Sequence, residues 1–354
     1  MLEIPVITSL QRVRNTLAGE PVDHLAAQPM LMMFAAKHAG MAFIDYTRDG
    51  RKMAEAQLKV AEDFEVDCLL TCSDPAREVI DIAGAGSVDW FTDQGPVINE
   101  GRAALADKSR LRQFKLPDPW GGGRMHDRVR AIEFMRRRTG PGLSIVGWVE
   151  GPLALAAELR GLNTIMIDFT DDPAFVRDLF DFTAQVAVRY APAQIAAGAD
   201  TIGMSDAAAS MIGPDLYAEF LYPAQRRVFE FLKDHHPNVI RRQHMCGNTT
   251  ALAAKMRELP VDIYEIDFPA DLPQVRRQLG DNRVICGNVS TITDLLEGSP
   301  DTVYEACRRC HEICGRFHLV GGGCEVSPLT PPENLRAMVQ YAKDHRISDE
   351  ARLR

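Results

Sequence analysis

Eight short apolar runs, each followed by a segment of helical periodicity, divide this chain almost from end to end. The runs cover 25–34, 67–72, 144–151, 200–206, 238–246, 261–268, 283–289 and 316–323. Between the first two lies "RKMAEAQLKVAEDF", with Met53, Ala54, Leu58, Ala61 and Phe64 on one stripe. After the third comes "DDPAFVRDLFDFTAQVAVRY". There Asp172 suits the N-cap, Pro173 the first turn, and Phe175, Val176, Leu179, Phe180, Val186 and Tyr190 a buried face. A further helix over 214–235 is expected to bend near Pro223, which has no N–H to donate. Strand-then-helix units repeated eight times predict a closed (β/α)8 TIM barrel. An open doubly wound sheet is the rival, and it rarely needs so many even units. Residues 1–354 read as one domain, with an N-terminal helical extension and an insertion at about 75–125 after the second strand. That insertion reads as one long irregular stretch, and a loop of such length is usually functional or holds short elements that leave no pattern in the sequence.

Composition narrows the function classes. The chain is 46% hydrophobic and 25% charged, which supplies a large core. A net charge of −9 argues against nucleic acid or an anionic membrane as the main partner. No apolar run approaches the length of a membrane span, and charge interrupts the first residues where a signal peptide would be apolar. A cytoplasmic protein is the expectation. Its eight cysteines then read as thiols rather than disulfides.

In a barrel of this kind the active site lies at the C-terminal ends of the strands. Read in order, those ends present Cys72 and Asp74, then Glu150, then Ser205 and Asp206, then His244 and Cys246. Glu265 and Asp267 follow, then Cys286 and Asn288, and finally Cys324 after a run of three glycines. In "RRQHMCGNTT", His244 and Cys246 are two apart on a strand and so share one face. Cys324 arrives on the same rim from the last strand. One imidazole and two thiolates form a borderline-soft set that suits Zn²⁺, and three protein ligands leave a fourth position open, as in catalytic sites. Glu150 is the first choice for a fourth ligand, on position alone. The glycines before Cys324 are expected to let that ligand move.

Glu150, Asp206 and Asp74 are the candidate catalytic carboxylates, and Cys72, Ser205, Asn288 and Asp267 the candidate substrate contacts. Arg242 shares the face of His244 and needs a buried partner, for which Glu265 or Asp267 is placed. Two metal-like or phosphate-like strings are set aside. Cys307, Cys310 and Cys314 fall on one helical stripe that packs inward, and "WGGGR" lacks the P-loop pattern.

Five segments carry a family resemblance: "SLQRVRNTLAGEPVD", "GWVEGPLALAAELRG", "HMCGNTT", "GNVSTITDLL" and "GGGCEVSPLTPPENLRAM". Together they resemble the uroporphyrinogen decarboxylase superfamily, and within it the zinc-dependent corrinoid methyltransferase branch. That branch includes the methanol and methylamine coenzyme M methyltransferases and the O-demethylase methyltransferases. The resemblance implies a (β/α)8 barrel and a catalytic zinc held by His244, Cys246 and Cys324. It also implies a separate corrinoid (cobalamin) protein docking over the mouth, with a methyl group passing between a small molecule and cobalt. A methoxy compound, a methylamine, methanol or a thiol would fit, and a homodimer is compatible. The alternative is a cofactor-free porphyrinogen decarboxylase, in which Asp74 would hold the pyrrole N–H groups. Against it, "MLMMFAAKHAG" carries Lys37 and His38 but no arginine for the propionates.

Overall fold

The computed structural model describes residues 6–348. Among the described residues nine strands form: Cys68–Leu70 (β1), Val88–Asp89 (β2), Val97–Ile98 (β3), Ser144–Glu150 (β4), Thr201–Ser205 (β5), Ile240–Met245 (β6), Ile263–Ile266 (β7), Val284–Gly287 (β8) and His318–Leu319 (β9). Seven of them make one parallel sheet in the order β1-β4-β5-β6-β7-β8-β9, with helices between successive members. β2 and β3 pair as a separate antiparallel ribbon. Parallel neighbours joined by helical crossovers are what the alternating pattern requires.

The first expected strand does not join the ladder. Within 25–34, Ala27 and Met30 make only isolated bridges, and the segment turns into a helix at Met33–His38. Pro29 is the reason, since it has no N–H to give a neighbour. The segment still reaches both ends of the sheet. Gln28 donates its N–H to Val320 (2.7 Å), just after β9, and Asp67, just before β1, donates to the Ala27 carbonyl (2.8 Å).

The stretch at 75–125 meets the second expectation, a set of short elements. It holds a helix at Ala76–Ala83, the β2–β3 ribbon, three short 3-10 turns and the start of the helix Arg124–Thr139. Its elements are too short to show a period. The segment "TTALAAKMREL" (249–259), which has helical composition, forms a helix only over Ala253–Met256. Just before Pro223 the chain forms a π turn over Tyr217–Leu221, and helix Tyr222–His235 then resumes; π turns are among the places where helices depart from straight geometry. Asp172 caps the helix Pro173–Ala196 through the Phe175 N–H. The N-terminal helix runs over Ser9–Ala18.

The strand register places the site. Glu150 pairs with Ser205, Ser205 with His244, His244 with Glu265, and Glu265 with Cys286. Partners in register point to the same side of a parallel sheet, so these five side chains form one polar layer. Beneath it, Trp148 lies against Gly203, where an added Cβ would stand 2.5 Å from the indole. Arg242 is fully buried in that lower layer and is paired by Glu265 (2.7 and 3.0 Å), with Gln28 at 2.9 Å. Cys307, Cys310 and Cys314 pack into the core. No helix among the described residues is long and apolar enough to cross a membrane.

Candidate metal centre

His244 is the penultimate residue of β6, and Cys246 follows directly after the strand. Their shared face brings His244 Nε2 to 3.2 Å from Cys246 Sγ. Cys324 comes from the loop after β9, with its Sγ 3.7 Å from Cys246 Sγ and 3.9 Å from His244 Nε2. A tetrahedral zinc ion sets a sulfur–sulfur separation of about 3.8 Å and a sulfur–nitrogen separation of about 3.6 Å. The three donors therefore already stand at the spacing of three corners of such a site. Among the described residues, these are the His, Cys and acidic side chains whose ligand atoms converge within 4.8 Å of one another.

The glycines before Cys324 allow close backbone approach. A Cβ on Gly323 would sit 2.3 Å from the Phe268 nitrogen, and one on Gly321 would press on Cys286 Sγ at 3.0 Å. The loop is packed against the ends of β7 and β8, which holds Cys324 where it is.

Behind the donors lies a matched charge network. His244 Nδ1 is 3.3 Å from Glu265 Oε2, an ion-pair distance without an aligned hydrogen bond. Burial disfavours charge on His244, yet the Glu265 carboxylate raises its pKa to about 10. Burial likewise opposes ionisation of Glu265, but Arg242 and His244 hold it down to about 2. Glu265 thus keeps Nδ1 protonated and leaves Nε2 to point at the thiols, the usual support for a metal-bound imidazole. The Cys324 thiol is pushed up by its contact with Cys246 and by burial. An incoming cation must displace those protons.

The donors form part of the wall of a cavity of about 610 Å³, a size typical of small-molecule sites. Cys72, Asp74, Glu150 and Ser205 line it as well. Glu150 does not join the metal donors. It is not among the donor atoms that converge; it ends β4, two strands from β6, and lines the same cavity.

Three other candidates are engaged in structure. Asp206 accepts from the N–H groups of Leu153 and Ala154 (2.9 and 3.0 Å) and from Gln225 (2.6 Å), which satisfies the start of helix Pro152–Arg160. Asp267 accepts from the N–H groups of Gly247 and Phe268 (2.6 and 2.8 Å) and so clamps the turn after Cys246. Asn288 donates to the carbonyls of Asp267 and Ala270 (3.3 and 3.2 Å). Asp74 borders the cavity but is locked to Arg124 by two bonds (2.7 and 2.8 Å), which hold it down to about 2 against the effect of burial.

The sequence model of the family described as "Uroporphyrinogen decarboxylase (URO-D)" matches residues 8–345. The chain belongs to this family. Among curated URO-D relatives, it is 26% identical over 345 residues to a methylcobamide:CoM methyltransferase MtbA of Methanosarcina mazei, covering 96% of this chain and 98% of that one. It is also 26% identical over 356 residues to a uroporphyrinogen decarboxylase of Nostoc sp., covering 96% and 98%. A solved methyltransferase from Methanosarcina mazei superposes with a TM-score of 0.80 at 22% identity, over 96% of this chain and 99% of that one, which shows a shared fold.

Reading strand ends alone passed over three residues of this URO-D cavity: Trp148, Glu158 and Glu325. Trp148 sits one layer below the strand end. Glu325 directly follows Cys324, and its Oε1 accepts from the Met33 N–H (2.7 Å). Glu158 had a visible signal, as the lone acid in the apolar helix "PLALAAELR". Burial, then Asp74, raises its carboxyl to about 7. Burial and the neighbouring Glu78 push Glu150 well above its ordinary value.

Proposed function

We propose that this chain is a zinc-dependent methyltransferase that moves a methyl group between a small molecule and the cobalt of a separate corrinoid protein. The observation that carries the reading is the spacing of His244 Nε2, Cys246 Sγ and Cys324 Sγ, which matches three corners of a tetrahedral zinc site at a cavity wall. The similarity to a named methylcobamide:CoM methyltransferase over nearly the full length supports it. The curled sheet is read as a closed (β/α)8 barrel, with segment 26–30 as the strand that joins its two ends.

When bound there, zinc supplies Lewis acidity, favouring the thiolate form of an acceptor or polarising the leaving heteroatom of a donor. The residues of the chain do the rest. Cys246 and Cys324 give up their protons to become the charged donors. Glu265 fixes the His244 tautomer and is itself fixed by Arg242. Trp148, Met30, Met32 and Leu162 keep the cavity wall apolar and exclude water from the reacting atoms. Ser205 and Cys72 contact the substrate from the barrel floor.

A protein partner is supported by the rim. Four of the large exposed apolar side chains among the described residues, Met211, Phe268, Ile292 and Leu329, lie on the loops that follow β5, β7, β8 and β9. Scattered exposed apolar residues mean little, but several on the loops at one end of the sheet support a docking surface there for the corrinoid protein. A porphyrinogen with eight carboxylates finds no lysine or arginine on the cavity wall.

The test is metal content by mass spectrometry, followed by demethylation of methylcobalamin in the presence of thiols, read by its absorbance. About one zinc per chain and zinc-dependent demethylation are expected. Protein that binds no zinc on reconstitution, or that decarboxylates uroporphyrinogen without metal, would overturn the reading.

A further inference from the structure

The cavity wall is unbalanced in charge. Among the described residues lining it stand Asp74, Glu100, Glu150, Glu158 and Glu325, with no lysine or arginine. Two of the arginines behind that wall are paired, and the third, Arg128, donates to the Trp148 carbonyl with its Nε and Nη2 free of hydrogen bonds. Arg124 is bonded to Asp74 (2.7 Å), Arg77 to Asp127 (3.0 Å), and Arg128 lies 3.8 Å from Glu78. Glu100 accepts from Asn163 (3.2 Å), and Glu325 accepts from Met33. Two carboxyls are left without a hydrogen-bond or ion-pair partner for their side chains, Glu150 and Glu158, on neighbouring elements β4 and helix Pro152–Arg160.

Glu150 is only 5% exposed, ends in the cavity, and shares it with the indole of Trp148. A buried carboxyl with no partner is costly in either charge state, and an aromatic face beside it attracts a cation. Three thioethers, Met30, Met32 and Met211, complete a soft apolar lining that suits N-methyl groups.

We propose that the substrate of this cavity carries an ammonium group, which sits between Glu150, Glu158 and Trp148 while its reacting heteroatom faces His244, Cys246 and Cys324. The cavity therefore rejects sulfonates, carboxylates and phosphates. This rests on the methyl-transfer reading only for the position of the reacting heteroatom. The raised affinity of Glu150 and Glu158 for protons adds a signature, because an ammonium takes the place of those protons and releases them on binding.

The experiment is calorimetric titration of the full chain with three isosteric probes: choline, its uncharged analogue 3,3-dimethylbutan-1-ol, and the anion 3,3-dimethylbutanoate. Choline is expected to bind at least about tenfold more tightly than the alcohol, with proton release seen as a dependence on buffer ionisation enthalpy, and the anion most weakly. Glu150→Gln and Glu158→Gln each remove most of the preference while leaving affinity for the alcohol in place, which shows that the cavity is intact. Equal binding of choline and the alcohol, tight binding of the anion, or a preference that survives in the double variant overturns the proposal. The preference persists in Cys324→Ala, since the carboxyls stand apart from the metal donors. A cation preference in a protein that fails to demethylate methylcobalamin would sink the methyl-transfer reading alone.

Discussion

The two sides of the cavity treat buried charge in opposite ways. On the β6–β7 side, each group has its counterpart: Arg242 with Glu265, Glu265 with His244, and His244 with the two thiols. On the β4 side, Glu150 and Glu158 face open space with no partner from the protein. A matched network holds its members in one geometry, which a metal site needs. An unmatched group stores an unmet electrostatic demand, which a ligand can satisfy. On the proposed reading, the first side sets the chemistry and the second selects what enters.

The largest effect is expected on the matched side. Cys324→Ala removes one of three donors and should reduce zinc from about one per chain to below a tenth of that by mass spectrometry, with loss of methyl transfer. Retained stoichiometric zinc would break the contrast at its root. Glu265→Gln leaves Arg242 as a buried unpaired cation and should cost about 3–5 kcal/mol in denaturant unfolding, with metal affinity down about 10–100-fold. A cost under about 1 kcal/mol would mean that the network is not matched as its distances indicate. Asp206→Ala removes the acceptor of two helix-start N–H groups and should cost about 1–3 kcal/mol, with zinc content unchanged.

The smallest effect belongs to the unmatched side and depends on pH. Burial raises Glu158 from 4.5 to about 7, so the fold binds its proton more tightly than the unfolded chain does. Its contribution to stability is present below about 4.5 and is lost as the pH rises through about 7. Glu158→Gln should therefore lose less stability than the wild type between those values, measured as the shift in denaturant midpoint with pH. Parallel curves would show that Glu158 is paired in solution.

Much of the fold was legible because its signals are local. The apolar runs and intervening helical stripes need only neighbours in sequence, and the two-residue spacing of His244 and Cys246 needs only a strand. Legibility failed where a single residue overrode its segment. Pro29 took 25–34 out of the ladder although the run is apolar, and the short elements of 75–125 show no period. At the site, the acidic rim looked uniform in sequence. The fold sorted it into Asp206 and Asp267 as caps, Asp74 as an arginine partner, and Glu150 as a free carboxyl.

The sequence by itself determined the repeating strand–helix units, the strand ends that face one mouth, and the three metal-ligating residue types among them. Only the tertiary structure decided that Cys324 stands 3.7 Å from Cys246, that Glu150 is not among the converging donors, and that Glu158 shares its cavity. The reason is physical. Periodicity says which face a side chain takes, whereas separations between residues distant in sequence depend on strand register, inter-strand spacing and the packing of glycines such as Gly323, which act only once the chain has closed on itself.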